Sequence, residues 1–392
     1  MKILGELQAI PMDPGTTATR IEIHSGLARH YPRLHGNLLR AQDSSRDLGL
    51  ILMHPTSNFL THFLLEPLAA AGLPVLGLNT RYVGNDATVI MENVLLDIGA
   101  AVRWMRHQLG YRQVALVGFS GGGPAVAYYQ SQAENPTVTE TPAGGPPDLT
   151  HAGLEPADAV MLVAAHAGRG RLLSTWIDPS VTDEANPDDR DPGLDLFRPD
   201  RTLPLDRGWV AEYRAAQRAR MDKISGWAQA ELARLARLDI ADRAFVVHRT
   251  VADPRFIDLT LDASDRELGS MYGDPRLANE AGAGLGRYHT LRSWLSSWSL
   301  QHSRADAVDQ LPHTSVPILI LSLLADQGAM PDNARLMHEA IGGRRSTLVE
   351  MPGLNHYMVN QEGGRTEVAQ QMRDWLTANG LLPHSAGGGT SR

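Results

Sequence analysis

"VALVGFSGGGPAVAYY" (114–129) runs from an apolar stretch, through a serine boxed in by glycines, into a second apolar run. Its first half has the length and unbroken apolarity of a strand buried on both faces in a parallel sheet. Gly118, Phe119, Ser120, Gly121 and Gly122 spell G-x-S-x-G at the end of that strand, and a helix is expected from about Pro124. At this chain's own Gly and Ser frequencies the string arises by chance about 0.2 times in 392 residues, so its position carries more weight than its spelling. A strand that turns straight into a helix forces the turning residue into strained backbone geometry, and a Cβ beside it would strike the neighbouring strand and helix. The serine hydroxyl is then held out near the positive end of the helix. A phosphate-binding loop would need G-x-x-x-x-G-K-[ST], and no Lys follows.

Strand and helix alternate on both sides of this junction. "LGLILMHP" (48–55), "PVLGLN" (74–79), "ADAVMLVAAH" (157–166), "VPILILSLLAD" (316–326) and "STLVEMPG" (346–353) read as strands, with shorter opening strands at 18–24 and 36–42. Helical spacing appears at 59–72, at 90–110 with Val94, Leu95, Ile98, Val102 and Met105 on one stripe, at Pro331–Ile341 and at 364–379. This order predicts an α/β chain with a doubly wound, mostly parallel sheet. The Pro-, Gly- and Thr-rich stretch 135–156 reads as a surface loop. The alternation stops near Gly168 and returns at 316. Between lie an acidic, Pro-rich loop (176–204), a long helical pattern (208–237) and a Trp-rich helix, "YHTLRSWLSSWSLQHSRADAV" (288–308). Residues 1–166 and 312–382 are therefore expected to form the core domain, with 167–311 as a large, mainly helical cap and 383–392 as a disordered tail.

A serine hydroxyl is a weak nucleophile unless a base takes its proton, and the base needs a third group to fix its tautomer. Asp326 is the first carboxylate after the strand at 316–326, at the carboxyl end where chemistry in open α/β sheets collects. His356 lies in the loop after the next strand. Ser120, Asp326 and His356 fall in the chain order of strand-turn-helix serine enzymes. Glu350, within a strand, and Asp332, inside a helix, are less able to reach His356. For an oxyanion, Gly121 offers the N–H after the nucleophile, and the loop at 54–57 offers a second donor. Pro55 has no N–H; of His54, Thr56 and Ser57, Thr56 is the choice. Phe119, Trp294 and Trp298 are expected to line a substrate pocket, the two tryptophans sharing a helix face four residues apart. Trp176, Phe197 and Tyr288 have similar standing. Arg81 is expected to tie loops together, and the acidic run 183–191 to be a solvated loop.

Composition narrows the classes further. Hydrophobic residues at 43% and charged residues at 20% are globular values. A formal charge of −8 gives no electrostatic footprint for nucleic acid or anionic membrane. Absence of Cys excludes disulfides, thiolate catalysis and Cys-ligated metal. No H-E-x-x-H occurs and no G-x-G-x-x-G follows a strand, so no metal or cofactor is expected. The N-terminal "MKILGELQAIPMDPG" has too short an apolar patch for a secretion signal, and no run reaches the roughly 18 apolar residues of a membrane span, so a cytoplasmic location is the expectation. The Trp-rich insertion could supply a homodimer face.

Taken with "HPTSNF", "NTRYVGND", "LLADQGAMP" and "PGLNHY", the turn "GFSGGG" resembles the α/β-hydrolase superfamily over about 50–166 and 312–380. Two features depart from it: His-Pro stands where His-Gly is common, and the insertion matches no cap of a named subfamily. The resemblance implies a cofactor-free serine hydrolase that cleaves a carboxylic ester or lactone, a small-molecule substrate, through an acyl-enzyme intermediate. The same triad would serve an acyltransferase, an amidase or a C–C bond hydrolase.

Overall fold

In the computed structural model, which describes residues 2–12, 34–342 and 345–383, the apolar runs pair into one eight-stranded sheet. Its strands are β1 (Ile3–Ile10), β2 (Leu34–Ala41), β3 (Leu48–His54), β4 (Val75–Asn79), β5 (Gln113–Phe119), β6 (Ala159–Val163), β7 (Ile318–Leu323) and β8 (Ser346–Met351), in the spatial order β1-β2-β4-β3-β5-β6-β7-β8. β2 runs antiparallel to both neighbours, and every pairing from β4 to β8 is parallel. Helices α1 (Leu65–Ala70), α2 (Met91–Arg103), α3 (Gly122–Glu134), α4 (Arg169–Trp176), α5 (Arg207–Ala236), α6 (Pro331–Ile341) and α7 (Gly364–Ala378) complete the main elements. The fold is the doubly wound, mostly parallel α/β class.

Side chains alternate along each central strand, and both faces are covered, which is why these strands read as unbroken apolar runs. Val114 and Leu116 of β5 enter the cluster beneath α2 and α3, while Ala115, Val117 and Phe119 enter the opposite cluster with α1 and α7. β3 divides likewise, with Ile51 and Met53 on one face and Leu50 and Leu52 on the other. Each fully buried Leu or Val stabilises the fold by about 1.5–3 kcal/mol.

Several expectations need correction. A strand occupies Ile3–Ile10, at the sheet edge, where the sequence suggested none. The segments 18–24 and 384–392 lie outside the described residues. The helix expected over 59–72 is confined to Leu65–Ala70. The chain before it is held irregular because the Asn79 side chain accepts the Phe59 N–H at 2.7 Å and His62 Nδ1 accepts the Leu64 N–H at 3.3 Å. The long helix from 90 ends in a wide π turn at Trp104–Gln108. Part of the acidic run is a hairpin, Val181–Asp183 against Asn186–Arg190.

The Trp-rich segment is not one helix. Tyr288–Thr290 is a strand paired with Ala244–Val246, Leu291–Ser293 is one helical turn, and Trp294–Trp298 is a π turn that ends at Ser299. Serine side chains explain the departure, since they bond outside the segment and compete with helical geometry. Ser296 Oγ accepts the Met91 N–H (2.8 Å) and donates to Glu92 (2.7 Å), and Ser297 Oγ donates to the Val89 carbonyl (2.9 Å). Burial raises the Glu92 carboxyl above its ordinary range. These bonds seat the segment on the start of α2. Three small apolar clusters hold most of the buried side chains of 167–311, the largest joining Met221 and Ile224 of α5 to Trp294 and Trp298.

Candidate active site

Ser120 sits between β5 and α3 with φ at 53°, a conformation costly for a residue with a Cβ. Its own N–H is tied to the Val163 carbonyl at 3.1 Å, so the strained turn is anchored to β6. Close approach explains the glycines beside it. A Cβ on Gly118 would lie 2.5 Å from the Gly122 carbonyl oxygen, and one on Gly122 would lie 2.2 Å from the Met53 carbonyl oxygen. Neither backbone can rotate away.

Asp326 and His356 are brought into direct contact. Asp326 is fully buried just past β7; its Oδ1 accepts the N–H groups of Gly328 (2.7 Å) and Ala329 (2.9 Å). The other oxygen, Oδ2, accepts from His356 Nδ1 at 2.7 Å. An acceptor at Nδ1 keeps the hydrogen there and leaves the Nε2 lone pair available. Ser120 and His356 line one cavity of about 520 Å³ over the carboxyl ends of the strands. The two fallback acids are engaged elsewhere, Glu350 with Arg335 (2.8 Å) and Asp332 with Arg255 (2.5 Å). A depression of about 540 Å³ beside α5, near Pro142 and Arg292, contains no serine or histidine.

The cavity joins both parts of the chain. Phe119 and Trp298 line it, together with Phe63 and Tyr357 on one side and Leu172, Met271 and Tyr272 from the insertion on the other. Trp294 does not. It is buried in the core of the insertion, in the same apolar cluster as Trp298, and its Nε1–H donates to Ser225 Oγ at 3.0 Å. Trp176 packs edge-on against Phe256, Phe197 flanks a different surface depression, and Tyr288 is half exposed. Arg81 pairs with buried Asp97 at 2.7 Å.

Thr56 also needs correction as an oxyanion donor. The N–H groups of Thr56 and Ser57 both donate to His54 Nδ1, each at 3.1 Å, so the loop turns inward on this ring. Burial, reinforced by the charge of Arg169, pushes His54 well below the ordinary histidine range. Neutral and accepting at Nδ1, the ring carries its hydrogen on Nε2. A Cβ on Gly121 would stand 2.7 Å from that Nε2 and 3.3 Å from His166 Nε2.

Sequence reasoning missed His62, His166, Arg169 and Asp86, all on the cavity wall. Burial holds His62 and His166 down to about 3. Arg169 is buried at the start of α4, pairs with Asp86 at 2.6 Å and lies 4.9 Å from the Trp298 ring centre. For His166 the signal was position, since it follows β6 beyond the carboxyl ends of the strands, where ligands bind in open α/β sheets. Among the described residues no cluster of side chains suits a metal ion, and no helix is long and apolar enough to cross a membrane.

No protein-family model matches the chain, and no curated protein matches it. Solved structures do. The structure of DcsB in complex with its substrate analogue superposes with a TM-score of 0.51 at 11% identity, over 96% of this chain and 99% of that one. Ferulic-acid-bound Est1E from Butyrivibrio proteoclasticus gives 0.47 at 13% identity, over 88% and 96%. The esterase domain of a Rhodothermus marinus protein gives 0.46 at 14% identity, over 96% and 99%. At such identities the likeness concerns architecture. With its mostly parallel eight-stranded sheet, flanking helices and strained serine at the β5–α3 turn, the chain has the α/β-hydrolase fold.

Proposed function

We propose that the cavity is the active site of a serine hydrolase that cleaves a carboxylic ester or lactone through an acyl-enzyme. The observation that carries this reading is the buried Asp326–His356 hydrogen bond of 2.7 Å, facing the same cavity as a serine held at φ 53°. Ser120 Oγ attacks the carbonyl carbon as His356 Nε2 takes its proton, and Asp326 holds the imidazole and stabilises its charged form. The carbonyl oxygen becomes an oxyanion and accepts the Gly121 N–H. His356 passes the proton to the leaving alkoxide, which departs as the alcohol. A water molecule, deprotonated by His356, attacks the acyl carbon; collapse returns the proton to Ser120 and releases the acid.

Residues 167–311 serve as the cap in this scheme, and 1–166 with 312–382 as the catalytic core. Phe119 and Trp298 contact substrate. Water exclusion by this cap strengthens the hydrogen bonds that stabilise the transition state.

Steady-state hydrolysis of a panel of p-nitrophenyl esters by the wild type, Ser120→Ala and His356→Ala tests this directly. The wild type turns over, and each variant loses at least about 10⁴-fold in kcat while keeping its unfolding midpoint. Turnover retained by Ser120→Ala contradicts the reading.

A further inference from the structure

We infer that the His54 side chain, through its Nε2–H, supplies the second hydrogen bond to the oxyanion, in place of a backbone N–H of the loop after β3. This rests on the serine hydrolase reading above. Three observations converge on it. Pro55 has no N–H, and the N–H groups of Thr56 and Ser57 are given to His54 Nδ1 at 3.1 Å each. Those two bonds fix the ring's orientation and its tautomer together, so the hydrogen must sit on Nε2. Finally, Nε2 lies 2.7 Å from the point where a Gly121 Cβ would stand.

Reach follows from covalent geometry. A residue's Cβ and its own N are about 2.5 Å apart, so Nε2 is no more than about 5 Å from the Gly121 nitrogen. One oxygen accepting from two donors at about 2.9 Å each can bridge that separation. Gly121 must then be glycine for a chemical reason as well as a steric one, because a methyl there would fill the space the oxyanion needs. His166 Nε2 lies 3.3 Å from the same point, but its Nδ1 has no hydrogen-bond partner among the described residues, so nothing fixes which ring nitrogen carries the hydrogen. It has no donor fixed toward the site as His54 has. Arg169 is directed instead to Asp86 (2.6 Å) and to Thr56 Oγ1 (3.4 Å).

Two substitutions separate the donor from the turn. In His54→Asn the side-chain oxygen can still accept the N–H groups two and three residues on, as Asn does in an Asx turn, but nothing reaches the oxyanion. In His54→Gln an amide N–H extends to about the place of Nε2, while the turn acceptor is lost. The expected result is a kcat about 10²–10³-fold lower in His54→Asn with KM little changed, and recovery to within about tenfold of wild type in His54→Gln. Slow but stoichiometric labelling of Ser120 by a fluorophosphonate shows that the Asn variant is folded. Wild-type kcat in His54→Asn, or equal losses in both variants, overturns the assignment. Should the Asn variant not fold, the wild type decides: the His54 Nε2–H proton resonance shifts downfield when a trifluoromethyl ketone forms its tetrahedral adduct at Ser120, and an unmoved resonance overturns it. Failure of the underlying reading would look different, since Ser120→Ala would then keep turnover and no ketone adduct would form.

Discussion

Neutral imidazoles dominate the surroundings of Ser120. His62 is the most enclosed by aromatic rings, with centroids 4.3 Å from Phe59, 4.1 Å from Phe63 and 4.9 Å from Phe119. Burial, with smaller effects from the charges of Arg365 and His356, lowers it from 6.5 to about 3. The unfolded chain therefore takes up this proton first as pH falls. Its contribution to stability is complete above about pH 7 and is lost progressively from there down to about pH 3. Between pH 7.5 and 5.5 the loss amounts to about 1.4 kcal/mol for one such group. Urea unfolding of wild type and His62→Asn at these two pH values should show the wild type losing more by about that amount. Equal losses would mean that His62 is solvated. At the same scale, Ser120, Asp326 and His356 were legible in the sequence because each follows a strand in a recognisable order. His62 and His166 were not, nor was the neutrality of His54, because neutrality comes from burial, and burial of one histidine among 15 is a property of the folded chain.

The β5–α3 turn is the element on which the site depends. Its glycines are set by backbone approach, so the prediction for Gly122→Ala is a contest of two terms. Alanine favours a helix by about 1 kcal/mol over glycine. The new Cβ would stand 2.2 Å from the Met53 carbonyl oxygen, and overpacking against backbone typically costs about 1–3 kcal/mol or more. Overpacking wins. The variant should unfold at lower urea than wild type and hydrolyse esters more slowly, because α3 must tilt away from β3; a variant as stable and as active as wild type would refute this packing. Strands β3 to β7 were legible as apolar runs because each is buried on both faces, whereas β8, at the end of the sheet, is only partly buried. The Trp-rich segment misled because its tryptophans have helical spacing, while its serines, whose bonds to α2 break the helix, look like surface residues in the sequence.

For the whole molecule, sheet and insertion meet at the cavity, and ion pairs join them behind it. Asp253, fully buried, pairs with Arg214 and Arg255, each at 2.7 Å, and Arg255 reaches Asp332 at the start of α6. Those two arginines hold the Asp253 carboxyl below its ordinary range against the burial that would raise it. No spacing in the sequence links residues 214, 253, 255 and 332, so the extent of this contact was not legible. The central claim is that Ser120, His356 and Asp326 act as one unit inside that enclosure. A crystal structure of the chain after reaction with a fluorophosphonate tests it most directly. The claim predicts a phosphonyl group on Ser120 Oγ, with His356 Nε2 within about 2.6–3.2 Å of that oxygen or of the adduct and Asp326 still bonded to Nδ1. A modification on any other residue, or an imidazole turned away from Ser120, would contradict it.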